Sequence, residues 1–371
     1  MTPLDIIHTE SSLGWGGQEI RILSEAAGLQ DRGHRVRLLC PREARIHDEA
    51  SRFGVSVESL PIGRKNLKGL ASTIRWIRSH DREAGRSVFN THSSTDSWLV
   101  ALGLQALRRP FPIVRTRHIS ARVARNRLTR WLYTSAASRV VTTGQALRTQ
   151  LIDDLGILSG RIDSVPTGID TARFVPGDRA AARARLGLPS GKTLVGIVAT
   201  LRSWKGHRYL IEALDGMPDG IDLVIVGDGP QREALDALVA SHGLSERTWM
   251  SGNQVDVLPW LQALDVFALP SYANEGVPQA LIQAMLVALP CVTTSAGSIS
   301  ELARHEETAL LARTQDAGDL RKSIERLVAD PALRERLGTA AQTHCLANYS
   351  RAQMLDSMES IFQAVVENVR K

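Results

Sequence analysis

The fold of this chain is decided by residues 270–285, which read PSYANEGVPQALIQAM. They follow the aliphatic run Val266–Leu269, form a polar loop that contains Gly276, and enter a segment with helical spacing of apolar residues. The first N–H groups of a helix have no partner within the helix, so they favour an anion. The carboxylate of Glu275 in the same loop can accept hydrogen bonds from sugar hydroxyls. The segment therefore predicts a ligand with phosphates and hydroxyls, although a loop with a purely structural role also fits the pattern.

Short aliphatic runs alternate with helical patterns along the chain, in two series. The first series comprises Asp5–His8, Arg35–Cys40, Val55–Leu60, Val88–Thr91, Ile113–Thr116, Val140–Thr142 and Ile162–Pro166. The second comprises Leu194–Ala199, Leu223–Val226, Thr248–Ser251, Val266–Leu269 and Cys291–Thr294. Alternating strands and helices predict parallel sheets covered on both faces. We therefore predict an α/β protein with two Rossmann-like, doubly wound domains that face each other across a cleft.

Domain boundaries follow from the same alternation. We predict a first domain over residues 1–170, a second over 171–350, and a final helix over 351–371. The polar, Pro- and Gly-containing stretch Thr167–Lys192 is predicted to link the domains. The final helix, about Arg351–Val369, should bury one apolar face, made of Met354, Met358, Ile361, Phe362 and Val365.

Composition narrows the class of protein. The chain has 371 residues and a net charge of +6, with 25 basic and 16 acidic residues through Asp170 against 20 and 23 after it. Its three cysteines, Cys40, Cys291 and Cys345, are far apart, which favours neither a disulfide framework nor a zinc site. The first residues lack a basic and apolar leader, and no apolar run is long enough to cross a bilayer. We expect a cytoplasmic protein.

Residues 270–285 resemble the P-S-x-x-E-G-x-x-x-x-x-x-E-A-M signature of family 4 GT-B glycosyltransferases. The resemblance implies the GT-B fold, with a last helix that crosses back onto the first domain. It also implies that Glu275 contacts the donor sugar, and that Gln283 occupies the position of the glutamate that holds the nucleotide ribose. An amide has one acceptor oxygen, so donor affinity or donor identity should differ from the family pattern. Further candidates for donor binding are the loop residues Gly276, Val277 and Pro278.

Other loops match further motifs of this family. Ala199–His207 resembles the G-R-L-x-x-x-K-G motif, with Lys205 at the lysine and Thr200 at the arginine. An ammonium and a guanidinium suit a pyrophosphate, so Lys205 and, with lower rank, Arg202 are predicted to stabilise the leaving diphosphate. Solvated side chains and tight turns are the alternative for each motif taken alone. The remaining candidate donor-binding residues are Gly16 and Gly17 in the first turn, Gly227, Gly229 and Pro230 in a G-x-G-P turn, and Asn253 and Gln254 in the loop that reads the base in the family.

Two histidines follow predicted strands of the first domain. His118 lies after Ile113–Thr116, where the resembled family keeps a histidine that contacts the transferred sugar. His92 follows Val88–Thr91 and is the weaker catalytic candidate. For both residues the alternative is a structural or solvated role, which is more common for a single histidine.

A basic segment lies between Asp96 and Asp153, where there is no acidic residue. It contains Arg108, Arg109, Arg115, Arg117, Arg122, Arg125, Arg127, Arg130, Arg139 and Arg148. Val123, Leu128, Trp131 and Leu132 are predicted to share one face of a helix, with Trp131 and Tyr133 as membrane-interface residues. We predict that the region 108–139 contacts an anionic membrane surface, although its apolar face could instead pack on the sheet. Nucleic acid is disfavoured because stacking aromatic residues are scarce.

These features together predict a retaining glycosyltransferase that uses a nucleoside diphosphate sugar and a lipid-linked or lipopolysaccharide-type acceptor at the inner membrane face. There is no D-x-D pair to hold a divalent metal, so neither a metal nor another cofactor is expected. Lys205, Arg202, Glu275 and His118 are the predicted catalytic residues. Two other classes stay open: a non-catalytic nucleotide-sugar binding partner, which Gln283 and Thr200 motivate, and a basic module that binds polyanions.

Overall fold

The computed structural model describes residues 2–80, 85–109 and 111–370. The chain divides into two compact units: Met1–Gly168 together with Arg351–Lys371, and Ile169–Ser350. The sequence-based boundary lay two residues later, at 170.

The first unit is built on a seven-stranded parallel sheet with the order β3-β2-β1-β4-β5-β6-β7. Its strands are β1 (Asp5–Thr9), β2 (Arg35–Cys40), β3 (Ser56–Ser59), β4 (Ser87–Thr91), β5 (Ile113–Arg117), β6 (Arg139–Thr142) and β7 (Ile162–Ser164). Its helices, apart from the last helix of the chain, are α1 (Gly17–Asp31), α2 (Arg45–Glu49), α3 (Leu67–Ser79), α4 (Ser94–Leu107), α5 (Arg127–Trp131) and α6 (Gln145–Leu155). Neighbouring residues of a strand pack on opposite faces, as Ile6 and Ile7 do in two separate cores.

The second unit has a six-stranded parallel sheet with the order β10-β9-β8-β11-β12-β13. Its strands are β8 (Thr193–Val198), β9 (Ile221–Val226), β10 (Thr248–Gly252), β11 (Val266–Leu269), β12 (Cys291–Thr293) and β13 (Leu310–Leu311). Its helices are α7 (Arg179–Leu186), α8 (His207–Asp215), α9 (Arg232–Ser241), α10 (Leu258–Ala263), α11 (Gln279–Leu286), α12 (Ala317–Ala329) and α13 (Pro331–Asn348). Both sheets confirm the prediction of two parallel α/β domains.

Two details of the second unit differ from the prediction. The stretch Thr167–Lys192 is not a plain linker, because α7 forms within it and Asp178 caps that helix at the N–H groups of Ala180 and Ala181. The edge strand β13 was not predicted, since two residues are too short for a periodic signal.

The last helix, α14 (Arg351–Arg370), belongs to the first unit and packs against α1. All five residues of its predicted apolar face are buried. Gly28 of α1 allows the close approach, because a Cβ atom there would lie 2.4 Å from Leu355. Arg32 also donates to Glu359 at 2.8 Å.

Candidate functional site

A lysine and a glutamate meet at the carboxyl edge of the second sheet, where the loops after β8 and β11 approach each other. Lys205 Nζ donates to Glu275 Oε1 at 2.6 Å, and Ser271 Oγ donates to the same oxygen at 2.6 Å. Glu275 is 5% exposed, so its carboxylate is held in place rather than solvated. The two residues that the sequence singled out for sugar and diphosphate therefore share one site.

The two loops are fixed to each other by their backbones. Tyr272 N donates to Trp204 O at 2.9 Å. Gly206 has a φ of +78°, and a Cβ atom there would lie 2.1 Å from Pro270 O. Only glycine fits this left-handed position and close approach, which explains the glycine that follows Lys205.

The turn after β9 packs against the loop after β8. Gly227 has a φ of +141°, and a Cβ atom at that position would lie 2.0 Å from Ala199 O. Leu201 N donates to Asp228 O at 3.0 Å, and Gln231 N donates to Leu201 O at 3.1 Å. Gly229 and Pro230 lie in this turn, so they adjoin the loop that carries Lys205.

Helix α11 begins directly after Glu275. Gly276, Val277 and Pro278 are buried, and the N-cap position, Pro278, supplies no side-chain cap. The first N–H groups of α11 are thus open to an external acceptor. Gln283, on the same helix, is half-buried, and its side-chain amide makes no hydrogen bond to any residue of the described ranges.

Three predicted residues do not join the Lys205–Glu275 pair. Arg202 lies over the Trp204 ring, 5.7 Å from its centroid, and within the described part of the chain it forms no ion pair. Gln254 Nε2 donates to Ser251 O within its own loop at 2.8 Å, and Asn253 is exposed. No direct bond links any of the three to Glu275.

In the first unit, three histidines form a hydrogen-bonded row at the carboxyl ends of β1, β4 and β5. His8 Nδ1 lies 2.9 Å from His92 Nε2, and His92 Nδ1 lies 2.9 Å from His118 Nε2. Burial, followed by the charge of Arg21, lowers the pKa of His8 to about 3. Burial also holds the pKa of His92 and of His118 well below the usual value. His118 and His92 are thus brought together, whereas His8 was not among the predicted site residues.

Buried acidic groups lie beside this row and were also not among the predicted site residues. Asp96 accepts hydrogen bonds from Thr9 Oγ1 at 2.7 Å and from the backbone N–H group of His92 at 3.0 Å. Glu10 accepts from Ser93 Oγ at 2.5 Å, and burial raises its pKa. Glu10 directly follows a strand, and Asp96 faces the end of one. Such a position is a local signal that could have identified both residues, but only the strand order shows which strand ends are adjacent.

The first glycine turn lies next to these acids. Gly16 is the N-cap of α1 and Gly17 its first residue, and no side chain caps the helix. Glu19, in the first turn, is 5% exposed. Burial, followed by the charge of Glu10, raises the pKa of Glu19 to about 7.

The basic segment departs from its prediction. Helix α5 covers Arg127–Trp131 and is followed directly by a π-helical turn, Leu132–Ala136. Leu128, Trp131 and Leu132 are therefore helical as predicted, but Val123 lies outside the helix, so its place on the predicted face is wrong. Trp131 stacks on Trp98 with ring centroids 5.9 Å apart, and Tyr133 is buried beneath Arg115. Tyr133 is thus part of the core, and Trp131 is half-buried against it, so neither side chain is fully exposed.

Some arginines of the segment are neutralised, but others are not. Arg139 pairs with Asp163 and Arg125 with Asp154. Over the described ranges, exposed arginines without an ion pair remain at Arg108, Arg122, Arg127 and Arg130. Leu128 lies among the last of these and is 67% exposed.

The described residues contain neither a membrane-spanning helix nor a metal-binding cluster. Within residues 2–80, 85–109 and 111–370, no helix combines the length and apolar character needed to cross a membrane. No group of three or more His, Cys, Asp or Glu residues among those same residues is arranged to hold a metal ion.

The sequence matches two glycosyltransferase family models. Residues 15–173 match "Glycosyltransferase Family 4" and residues 178–344 match "Glycosyl transferases group 1". The chain belongs to the two-domain GT-B glycosyltransferases that these models describe.

Curated relatives carry glycosyltransferase names. The chain is 31% identical over 242 residues to the D-inositol 3-phosphate glycosyltransferase of Nocardia farcinica, covering 62% of this chain and 53% of that protein. It is 31% identical over 178 residues to the lipopolysaccharide core biosynthesis glycosyltransferase LpsE of Rhizobium meliloti, covering 48% of this chain and 52% of LpsE. The chain thus spans about half the length of the curated relatives it matches.

Solved structures share the fold. A glycosyltransferase from Rickettsia africae aligns with a TM-score of 0.87 at 18% identity, over 99% of this chain and 100% of that one. Anabaena HepE, solved in complex with UDP-glucose, aligns with a TM-score of 0.87 at 21% identity, over 97% of this chain and 100% of HepE. These likenesses establish the GT-B fold.

Proposed function

We propose that this protein transfers a sugar from a nucleoside diphosphate sugar to a hydroxyl of a lipid-linked or lipopolysaccharide-type acceptor, with retention of anomeric configuration and without a metal. The observation that carries the proposal is the contact between Lys205 and Glu275 in front of the uncapped start of α11. A cation, a carboxylate and free N–H groups side by side suit a ligand with phosphate at one end and sugar hydroxyls at the other. The names of LpsE and of the HepE complex with UDP-glucose support the same substrate classes.

The proposed chemistry concerns the bond between the sugar and the diphosphate. As that bond breaks, negative charge grows on the departing phosphate, and Lys205 would leave Glu275 to stabilise it. Arg202 would add a second cation, and the N–H groups of α11 would add partial positive charge. The acceptor hydroxyl attacks from the face that the diphosphate leaves, and the departing phosphate takes its proton.

Other residues would hold the donor rather than react. Glu275 would accept hydrogen bonds from sugar hydroxyls, and Gln283 would contact the ribose with one acceptor oxygen. Gly227 and Gly276 would allow the backbone to approach the nucleotide. His118 would contact the transferred sugar.

The acceptor and the place of action are the finer part of the proposal. We propose a cytoplasmic enzyme that binds the inner membrane face peripherally through the α5 surface, defined as Arg122, Arg127, Leu128 and Arg130. These arginines are exposed and unpaired among the described residues, and Leu128 is an exposed apolar side chain between them. Cations around an apolar anchor suit an anionic bilayer.

The start of α3 extends this surface. Lys65 Nζ lies 5.9 Å from the centroid of the Trp98 ring, which stacks on Trp131 of α5. Next to Lys65, Leu67 is 84% exposed. A bilayer that contacts α5 would therefore find a second apolar and basic contact close by.

Calorimetric titration with UDP, GDP and ADP sugars tests the donor site. We expect one nucleotide class to bind to the wild type, with much weaker binding to Lys205→Ala. Incubation of the bound donor with acceptor lipids, with and without a chelator, then tests transfer and metal independence, and NMR of the new anomeric proton tests retention. Absence of binding to every nucleotide sugar would refute the donor assignment, and binding without transfer or hydrolysis would favour a non-catalytic partner.

Co-sedimentation with vesicles tests the membrane assignment. Wild-type protein should bind vesicles that contain phosphatidylglycerol and not neutral ones, and binding should weaken as salt rises. Arg127→Ser with Arg130→Ser should reduce binding by about thirtyfold, at about 1 kcal/mol per charge. Arg185→Ser with Lys322→Ser, which removes the same charge from exposed positions of the second unit, is the control. Equal loss in both pairs would mean that the α5 surface has no special role.

A further inference from the structure

The row of three histidines uses every ring nitrogen of its central member. His8 Nδ1 faces His92 Nε2, and His92 Nδ1 faces His118 Nε2, both at 2.9 Å. The rings of His8 and His92 are nearly parallel, at 10°. Exposure rises along the row, from 0% at His8 through 2% at His92 to 9% at His118. The row therefore connects a fully buried ring to the most exposed of the three.

A neutral imidazole carries one N–H group and one bare nitrogen. Because His92 is bonded at both nitrogens, the proton positions of all three rings must change together. In one arrangement each Nδ1 donates towards His118, which leaves His8 Nε2 bare and places the outer N–H group on His118 Nδ1. In the other arrangement each Nε2 donates towards His8, which leaves His118 Nδ1 bare.

Neutrality of the rings follows from their surroundings. The cations that act on the row are Arg21 from α1, and Arg115 and Arg117 from β5. Arg21 also forms a buried ion pair with Glu25 at 3.5 Å. Together with burial, these cations oppose protonation of any of the three rings.

The inner end of the row selects between the two arrangements. His8 Nε2 is buried and has no hydrogen-bond partner in the described part of the chain. An N–H group at this position would be a buried donor without an acceptor, so the arrangement that leaves His8 Nε2 bare is favoured.

We propose that His8 and His92 are positioning residues that keep the proton of His118 on Nδ1, so that His118 presents a hydrogen-bond donor and not a general base. Its Nε2 carries no proton and accepts a hydrogen bond from the Nδ1–H group of His92. The ligand that this donor would meet is an oxygen atom of the transferred sugar, and only that last step rests on the proposed function.

The tautomers can be read directly by NMR on the full chain labelled with ¹⁵N in histidine. Long-range ¹H–¹⁵N correlations distinguish a protonated from a bare ring nitrogen, and comparison with His118→Phe assigns the ring. We expect Nδ1 of His118 to be protonated and Nε2 to be bare in the wild type, without any substrate. A bare Nδ1 on His118 would overturn the proposal, whether or not the protein binds a nucleotide sugar.

Variants of His8 test the coupling. His8→Leu removes the inner donor and should let His118 populate both tautomers, whereas His8→Asn keeps an N–H donor near the Nδ1 position and should restore the wild-type pattern. His242→Leu, outside the row, is the control and should leave the His118 signals unchanged. If His8→Leu fails to fold, the wild-type and His8→Asn spectra still decide the matter.

Turnover gives a second readout. We expect His8→Leu to lower kcat/KM for the donor by about tenfold, the effect of one lost hydrogen bond, and His8→Asn to regain most of it. Identical His118 spectra in the wild type and His8→Leu would refute the positioning role. If the wild type does not bind any nucleotide sugar, the proposed function is refuted, but the result on the His118 tautomer is unaffected.

Discussion

Lys205 Nζ lies 2.6 Å from Glu275 Oε1, although 70 residues separate them in sequence. Ser271 donates to the same oxygen, so the carboxylate is bound from two sides before any ligand arrives. In the proposed reaction this ammonium would turn from the carboxylate to a phosphate oxygen of the departing diphosphate.

Lys205→Ala should therefore lower the rate of sugar transfer by about a hundredfold to a thousandfold, since one lost charge-assisted contact to a developing anion costs about 2.7 to 4 kcal/mol. The measurement is kcat with saturating donor, together with the melting temperature to verify folding. Lys322→Ala, an exposed lysine of the same unit, is the control. Near-normal turnover in Lys205→Ala would exclude a role for this ammonium in stabilising the diphosphate.

Gln283→Glu should tighten binding of the nucleotide by about fivefold to tenfold. A charged acceptor forms hydrogen bonds worth about 1.5 to 3 kcal/mol, against about 0.5 to 1.5 for a neutral one. Titration of both proteins with the preferred nucleotide gives the ratio of Kd values, and Gln353→Glu, at an exposed position of α14, is the control for added charge. Unchanged or weaker binding would show that position 283 does not hold the ribose.

The strands could be predicted from sequence almost to the residue where apolar runs are continuous. Arg35–Cys40 and Val266–Leu269 were placed at their observed bounds, because buried parallel strands have few polar interruptions. Lys205 and Glu275 were found through motifs, each on a loop after a strand. Their direct contact follows from the adjacency of β8 and β11, which the sequence alone does not show.

The row of His8, His92 and His118 shows why part of the site escaped prediction. Each residue lies at the end of a different strand, and β4 is the neighbour of both β1 and β5. A histidine inside β1 has no local signal of function, because its role depends on the pairing of distant strands. In the basic segment, Trp131 and Tyr133 were predicted to contact a membrane. In the structure Trp131 stacks on Trp98, and Tyr133 packs against Arg115.

Gly227→Ala should destabilise the second unit by about 3 kcal/mol or more and weaken donor binding. The backbone there has a φ of +141°, and the new Cβ atom would lie 2.0 Å from Ala199 O, so the loop before Lys205 must move. Gly243→Ala is the matched control: its φ of +65° is strained for alanine, but a Cβ atom there meets nothing within 4 Å. It should cost about 1 kcal/mol with unchanged donor affinity. Similar effects of the two substitutions on donor binding would show that the contact with Ala199 is unimportant.

Glu19 should make the stability of the first unit depend on pH. Its pKa is raised to about 7 by burial and then by the charge of Glu10, whereas a glutamate in the unfolded chain titrates near about 4.3. Between these two values the folded protein holds a proton that the unfolded chain has released. The free energy of unfolding therefore falls as pH rises from about 4 to about 7, by up to on the order of 3 kcal/mol from this group.

Glu19→Gln removes this titration. The variant should melt at a higher temperature than the wild type at pH 8, and the advantage should shrink as the pH is lowered to 5. Scanning calorimetry at several pH values measures the difference, and Glu233→Gln is the control, because Glu233 lies in the first turn of α9 but is exposed. A difference between wild type and Glu19→Gln that stays constant from pH 5 to pH 8 would show that Glu19 does not change its charge in this interval.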